Sequence, residues 1–228
     1  MSNLRMQVCE ARGIEADFAK MPMPGGHHHH QPHHGGGGGG GSGKWDKKPG
    51  GLKQISVSAN GEFVIGVNKN DEIFFSHGDR AEWQKMDGSL KYVSTNRDGS
   101  RIWGVNRNDE IFYREGVHSG WQKMDGGLKQ IHTSANGEFI VGVNCNGNVY
   151  SREGVRGGWQ QLDGGLKHVT CNRDGSHIWG VNQNDNVYFR AGPRGSWEQL
   201  DGGLQQVEVS ASGDVIVGTN RDNSVYIR

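Results

Sequence analysis

Tryptophan falls at Trp45, Trp83, Trp121, Trp159 and Trp197, and each interval is 38 residues. Recurrence at this length marks a repeat architecture, in which each unit buries its apolar face only by packing against its neighbours. The rest of the unit keeps the same register. A Gly-containing turn leads to Leu52, Leu90, Leu128, Leu166 and Leu204. A short polar turn follows at Gly61, Gly99, Gly137, Gly175 and Gly213. An apolar run then ends in Gly-Val-Asn or Gly-Thr-Asn at Asn68, Asn106, Asn144, Asn182 and Asn220. The unit closes on an alternating stretch such as Ile111-Phe112-Tyr113 or Val225-Tyr226.

Each unit reads as four short strands. The third contains WQKMD, LKQIHTSA, EFIVGVN and NVYSRE, rich in β-branched and aromatic residues and separated by Gly, Asn and Asp. Asp-Gly, Asn-Gly and Gly-Gly steps allow the positive-φ turns of tight antiparallel hairpins. One 38-residue sheet buries too little to stand alone, so such sheets pack face to face around an axis. Solenoids stack parallel strands, which these tight turns oppose. The expected fold is therefore all-β: a β-propeller of four-stranded antiparallel blades, with five clear repeats over residues 45–228.

A longer period overlies the first. Units one and three share SANGEF, units two and four share NRDGS followed by Ile-Trp-Gly, and unit five resembles the odd type. Growth by a 76-residue pair would end on an even number, which leaves a sixth place in the ring. Residues 1–44 alone are left to fill it. Within them 4–12 alternate like a strand, and 25–43 are a His/Gly-rich low-complexity linker. Two readings stay open: a degenerate sixth blade built from this segment, or a tail on a five-bladed ring.

Composition narrows the function classes. Lys plus Arg and Asp plus Glu are 25 each, so neither nucleic acid nor an anionic membrane is favoured as a partner. Cys9, Cys145 and Cys171 share no metal or redox spacing and read as three separate thiols. The N-terminus has no apolar signal region, no run reaches membrane-spanning length, and no glycosylation acceptor is present. The expected location is cytoplasmic. The histidines at 27–30, 33 and 34 have no Cys or carboxylate nearby to complete a metal cage, so the tract reads as flexible and no metal or cofactor is expected. Carboxylates that would serve a glycosidase recur themselves, Glu62 with Glu138 and Glu72 with Glu110, so no unique acid and base stand out and no enzyme is expected.

The unit W-x-x-[LM]-D-G-x-L-K-x-[IV], followed by G-x-x-[IV]-x-G-V-N-x-N-x-x-[IV]-[YF], resembles the tectonin repeat. That repeat is shared by slime-mould tectonins, a horseshoe-crab lectin, fish-egg lectins and mushroom tectonins, and this chain is most like those of mushrooms. The resemblance covers about four fifths of the chain. It implies a carbohydrate-binding propeller of innate defence that agglutinates bacteria or nematodes through surface glycans, O-methylated sugars and lipopolysaccharide among them. It also implies six blades, where this sequence shows five. Homo-oligomerisation suits an agglutinin. A protein-interaction propeller without sugar binding is the alternative, although such scaffolds diverge blade by blade and these units have stayed alike.

A repeat lectin offers one weak site per blade and gains strength by avidity. Three residue sets recur with suitable chemistry. Trp45, Trp83, Trp121, Trp159 and Trp197 offer indole faces for the C–H face of a sugar, or equally for packing between blades. Asn68, Asn106, Asn144, Asn182 and Asn220 can donate and accept together, or hold a turn. Arg114, Arg152, Arg190 and Arg228 end the unit and suit sugar hydroxyls or anionic groups, or an edge charge that blocks sheet pairing. Unit one has Ser76 there, so its groove is expected to be the weak one. Asp87, Asp125, Asp163 and Asp201 read as the start of an Asp-Gly turn, and Trp103 and Trp179, found only in the even units, as core.

Overall fold

The computed structural model describes residues 47–78 and 82–228. The 38-residue period becomes five antiparallel sheets, the blades of a five-bladed β-propeller. Blade one comprises β1 (Gln54–Val57), β2 (Phe63–Val67), β3 (Glu72–His77) and β4 (Gln84–Ser89). Blade two comprises β5 (Tyr92–Thr95), β6 (Arg101–Val105), β7 (Glu110–Glu115) and β8 (Gln122–Gly127). Blade three comprises β9 (Gln130–Thr133), β10 (Phe139–Val143), β11 (Asn148–Glu153) and β12 (Gln160–Gly165). Blade four comprises β13 (His168–Cys171), β14 (Ile178–Val181), β15 (Asn186–Arg190) and β16 (Trp197–Gly203). Blade five has three strands among the described residues rather than the expected four: β17 (Gln206–Val209), β18 (Ile216–Thr219) and β19 (Val225–Ile227). The strand expected over residues 4–12, the low-complexity linker and any sixth blade lie outside the described residues.

The first strand of each blade is innermost, since β1, β5, β9, β13 and β17 touch in succession. The apolar core lies between the blades. Phe63, Ile65 and Val67 of blade one meet Leu90, Val93 and Ile102 of blade two, and the same layer recurs at the later junctions. The repeated leucine and the glycine of Gly-Val-Asn belong together. A Cβ on Gly104 would lie 2.4 Å from Leu90 Cδ1, and one on Gly142 would lie 2.6 Å from Leu128 Cδ1. Glycine thus lets each leucine fold down onto the second strand of its own blade.

Trp103 and Trp179 are buried, as expected. Cys171 is a buried free thiol, whereas Cys145 is disulfide-bonded rather than the separate thiol expected. One seam departs from the pattern. Val93, Ile131, Val169 and Val207 are fully buried, yet their counterpart Ile55 is 54% exposed. On blade five Val225, Tyr226 and Ile227 are exposed too. Among the described residues, apolar walls therefore stand exposed on blades one and five.

Candidate functional site

The Asp-Gly step does not make a hairpin turn; it makes a bulge inside the outer strand. In blade three Asn148 pairs with Gly165 and the next residue, Val149, pairs with Leu162, so Asp163 and Gly164 are left over. The same shift occurs between β3 and β4, between β7 and β8, and between β15 and β16. Gly164 has φ +84°, the left-handed region a bulge of this kind demands. The bulge turns the aspartate carbonyl and carboxylate outward, toward the next blade.

There they meet the repeated tryptophan and arginine. Trp121 Nε1 donates to Asp87 O at 2.8 Å, Trp159 Nε1 to Asp125 O at 2.9 Å, and Trp197 Nε1 to Asp163 O at 2.8 Å. Trp83 makes the same bond to Pro49 O at 2.9 Å. Each arginine forks between its own loop and the neighbouring blade. Arg114 Nη1 donates to Asp87 Oδ1, Nε to Gly116 O and Nη2 to Val117 O. Arg152 reaches Asp125 Oδ1, Gly154 O and Val155 O, and Arg190 reaches Asp163 Oδ1, Gly192 O and Pro193 O. The guanidinium groups also lie over the indoles of Trp121, Trp159 and Trp197, 5.4–5.6 Å from the ring centroids.

Three junctions therefore carry one and the same Trp–Arg–Asp module. The indole is half-buried with its N–H already used, and the arginine is buried. The aspartate is the wet member, its side chain about two-thirds exposed. The hydrogen bond from Arg190, with its charge, holds the Asp163 carboxyl below the usual range, so it stays ionised and can accept from a hydroxyl. Chemically, each junction offers part of an apolar indole face beside a fixed anionic acceptor. At the junction entering blade one, Pro49 and Ser76 replace both ionic members. Arg228 lies exposed just past β19, its backbone paired with Ile216. Trp45 lies outside the described residues.

The asparagines are occupied as turn organisers. Asn68 Oδ1 accepts from the backbone N–H of Asn70 and Glu72, both at 2.9 Å, and Asn106, Asn144, Asn182 and Asn220 repeat this pair of bonds. The turn then passes through a left-handed residue at Asp71, Asp109, Asp185 or Asn223. Asn68 and Asn106 spend their Nδ2 on Glu72 and Glu110.

Sequence reasoning treated the aspartates as turn formers and missed the pairing. A signal existed: Asp87 to Arg114, Asp125 to Arg152 and Asp163 to Arg190 are each 27 residues apart. It missed a second group as well. His132, His168, Cys171 and Glu208 line a cavity among the innermost strands. Their signal was variation, since these positions differ from unit to unit within an otherwise uniform repeat.

The geometry defines a repeat propeller with the same Trp–Arg–Asp arrangement at three successive blade junctions. The chain matches the Tectonin domain family model over residues 39–158 and 156–228, and it belongs to the tectonin family. No curated protein matches the chain. Among solved structures it is similar to the β-propeller domain of Cps50 (Swd1) from Myceliophteria thermophila, with a TM-score of 0.63 and 8% identity, over 79% of this chain and 65% of that one. The chain thus spans slightly less than two thirds of that domain, and the likeness shows the fold alone.

Proposed function

We propose that the chain is a multivalent lectin that binds non-self glycans, O-methylated sugars or bacterial lipopolysaccharide, and agglutinates the bacteria or nematodes that carry them. The observation that supports this reading is the threefold recurrence of one wet module, a half-open indole beside the exposed side chain of Asp87, Asp125 or Asp163. A sugar or O-methyl C–H face stacks on an indole, and a hydroxyl donates to the carboxylate. Single sites of this size are weak, and three on one rigid rim gain by effective concentration on a glycan-coated surface. The test is an array carrying methylated sugars and lipopolysaccharide at several densities. Signal that rises steeply with density supports the reading, and a blank array at every density overturns it.

A protein-interaction propeller is the second reading. The uncovered apolar walls around Ile55, Val57 and Ile227 favour it. A blank array together with one stoichiometric protein partner selects it.

A further inference from the structure

We propose that the cavity among the innermost strands is a separate binding site, one per molecule, for a small neutral polyol. It measures about 550 Å³, within the usual range for small-molecule sites. Tyr92, His132, His168, Gln206 and Glu208 line it, so residues from four different blades converge there.

The pattern along the inner strands is unlike the rest of the repeat. Positions 55, 93, 131, 169 and 207 keep Ile or Val, which holds the blade packing. The alternate positions diverge: 56, 94, 132, 170 and 208 hold Ser, Ser, His, Thr and Glu, and 54, 92, 130, 168 and 206 hold Gln, Tyr, Gln, His and Gln. A rim module is copied at each junction; this set of polar groups occurs once. It suits one asymmetric ligand rather than a repeated one.

The chemistry is that of neutral donors and acceptors. Glu208 accepts from Thr170 Oγ1 at 3.0 Å. Its carboxyl oxygens lie 3.6 Å from His168 Nε2 and 3.8 Å from His132 Nε2, beyond hydrogen-bond reach, so three polar groups surround a common space without satisfying one another. The hydroxyls of Thr95 and Thr133 lie buried behind the cavity wall, where they bond to no group among the described residues. Enclosure inside the ring pushes both imidazoles down to about 4 and the Glu208 carboxyl up to about 7, although 52% of the Glu208 side chain is open to water in the cavity. Burial thus favours the neutral form of both imidazoles and shifts the carboxyl toward its neutral form. The cation in the lining, Lys53, is paired with Asp71. No trio of His, Cys, Asp or Glu among the described residues is set to hold a metal ion. A ligand rich in hydroxyls and free of charge matches this lining, and each hydroxyl can donate and accept.

The probe is myo-inositol, titrated into the full chain with nitrogen-labelled histidine and tryptophan side chains followed by NMR. The expected result is one saturating curve, one ligand per chain, that moves the His132 and His168 Nε2 signals and leaves the indole N–H signals of Trp121, Trp159 and Trp197 in place. Glu208→Ala should weaken binding by about tenfold or more. Imidazole signals that stay still up to tens of millimolar overturn the proposal, as does movement of the indoles alone, which reports the rim. Should a variant fail to fold, the wild-type titration decides. A blank glycan array leaves this site untouched, so the two readings fail separately.

Discussion

Arg152 ties five groups together: the Asp125 carboxylate of the preceding blade, the carbonyls of Gly154 and Val155 in its own loop, and the rings of Trp159 and Trp103. It is buried, so its role is to stiffen a junction, and the Asp125 side chain is left exposed to solvent. Arg152→Ala should cost about 2–3 kcal/mol, since buried carbonyls and a carboxylate lose their donor. Urea denaturation monitored by fluorescence reads this directly, and a loss below about 0.5 kcal/mol would mean the arginine is a loose edge charge. Glu208 gives a prediction of opposite sign. Its carboxyl is raised, so its contribution to stability is fully present below the unfolded value near 4.5 and is lost as pH rises through about 7. Glu208→Gln should therefore stabilise the fold at pH 8, by about 1 kcal/mol after screening by cavity water, and by much less at pH 5. Equal melting gains at both pH values would contradict the enclosed setting of this group. The spacing of Trp, Asn and Arg was legible in the sequence. Which way each one points was not, because a period gives positions and says nothing of the neighbouring blade, where Asp125 supplies the partner.

At the scale of elements, strand identity was legible and strand limits less so. LKQIHTSA read as one strand, and β9 covers only Gln130–Thr133 of it. Ser134 leaves the strand because its hydroxyl accepts from the Phe139 N–H at 3.0 Å and its carbonyl from Gly137, which closes a turn. WQKMD ended early in the reading, because an Asp-Gly step is the usual sign of a hairpin turn. Here β8 runs on to Gly127 through the bulge. Only partner-strand pairing tells a bulge from a turn, and one strand's residues do not contain it. The Leu–Gly contact inside each blade carries its own prediction. Gly142→Ala places a methyl 2.6 Å from both Gln130 O and Leu128 Cδ1, so backbone and core side chain must both shift. The expected cost is about 2–3 kcal/mol, despite the better strand propensity of alanine. Thermal unfolding of the purified variant checks it, and an unchanged midpoint would show that blade three relaxes freely.

Across the whole molecule, repetition builds a structure whose junctions are not equally strong. The junctions between blades one and two, two and three, and three and four each have a buried apolar layer, an indole bond and an Arg–Asp pair. The junction between blades four and five keeps an apolar layer of fewer buried residues, has Arg221 on Asp185 as blades one and two have Arg107 on Asp71, and has Arg228 exposed 27 residues after Asp201. Blade five presents Val225, Tyr226 and a 73% exposed Ile227 on its far side, and among the described residues β19 pairs only with β18. Five units were legible from the tryptophans. How the ring ends was not, because a local pattern does not relate the first unit of the array to the last. In a repeat protein each interface adds its own share of stability, so the weakest junction opens first. Amide hydrogen exchange followed residue by residue should therefore show a gradient. The amides of β18 and β19 exchange first, through local opening of blade five, and those of β6 and β10 exchange last, near the limit set by global unfolding. Ile131 and Ile140, fully buried between blades two and three, mark the slow end. Uniform protection from β2 through β19 would mean that blade five is held as firmly as the rest, with its exposed wall covered by chain or partner.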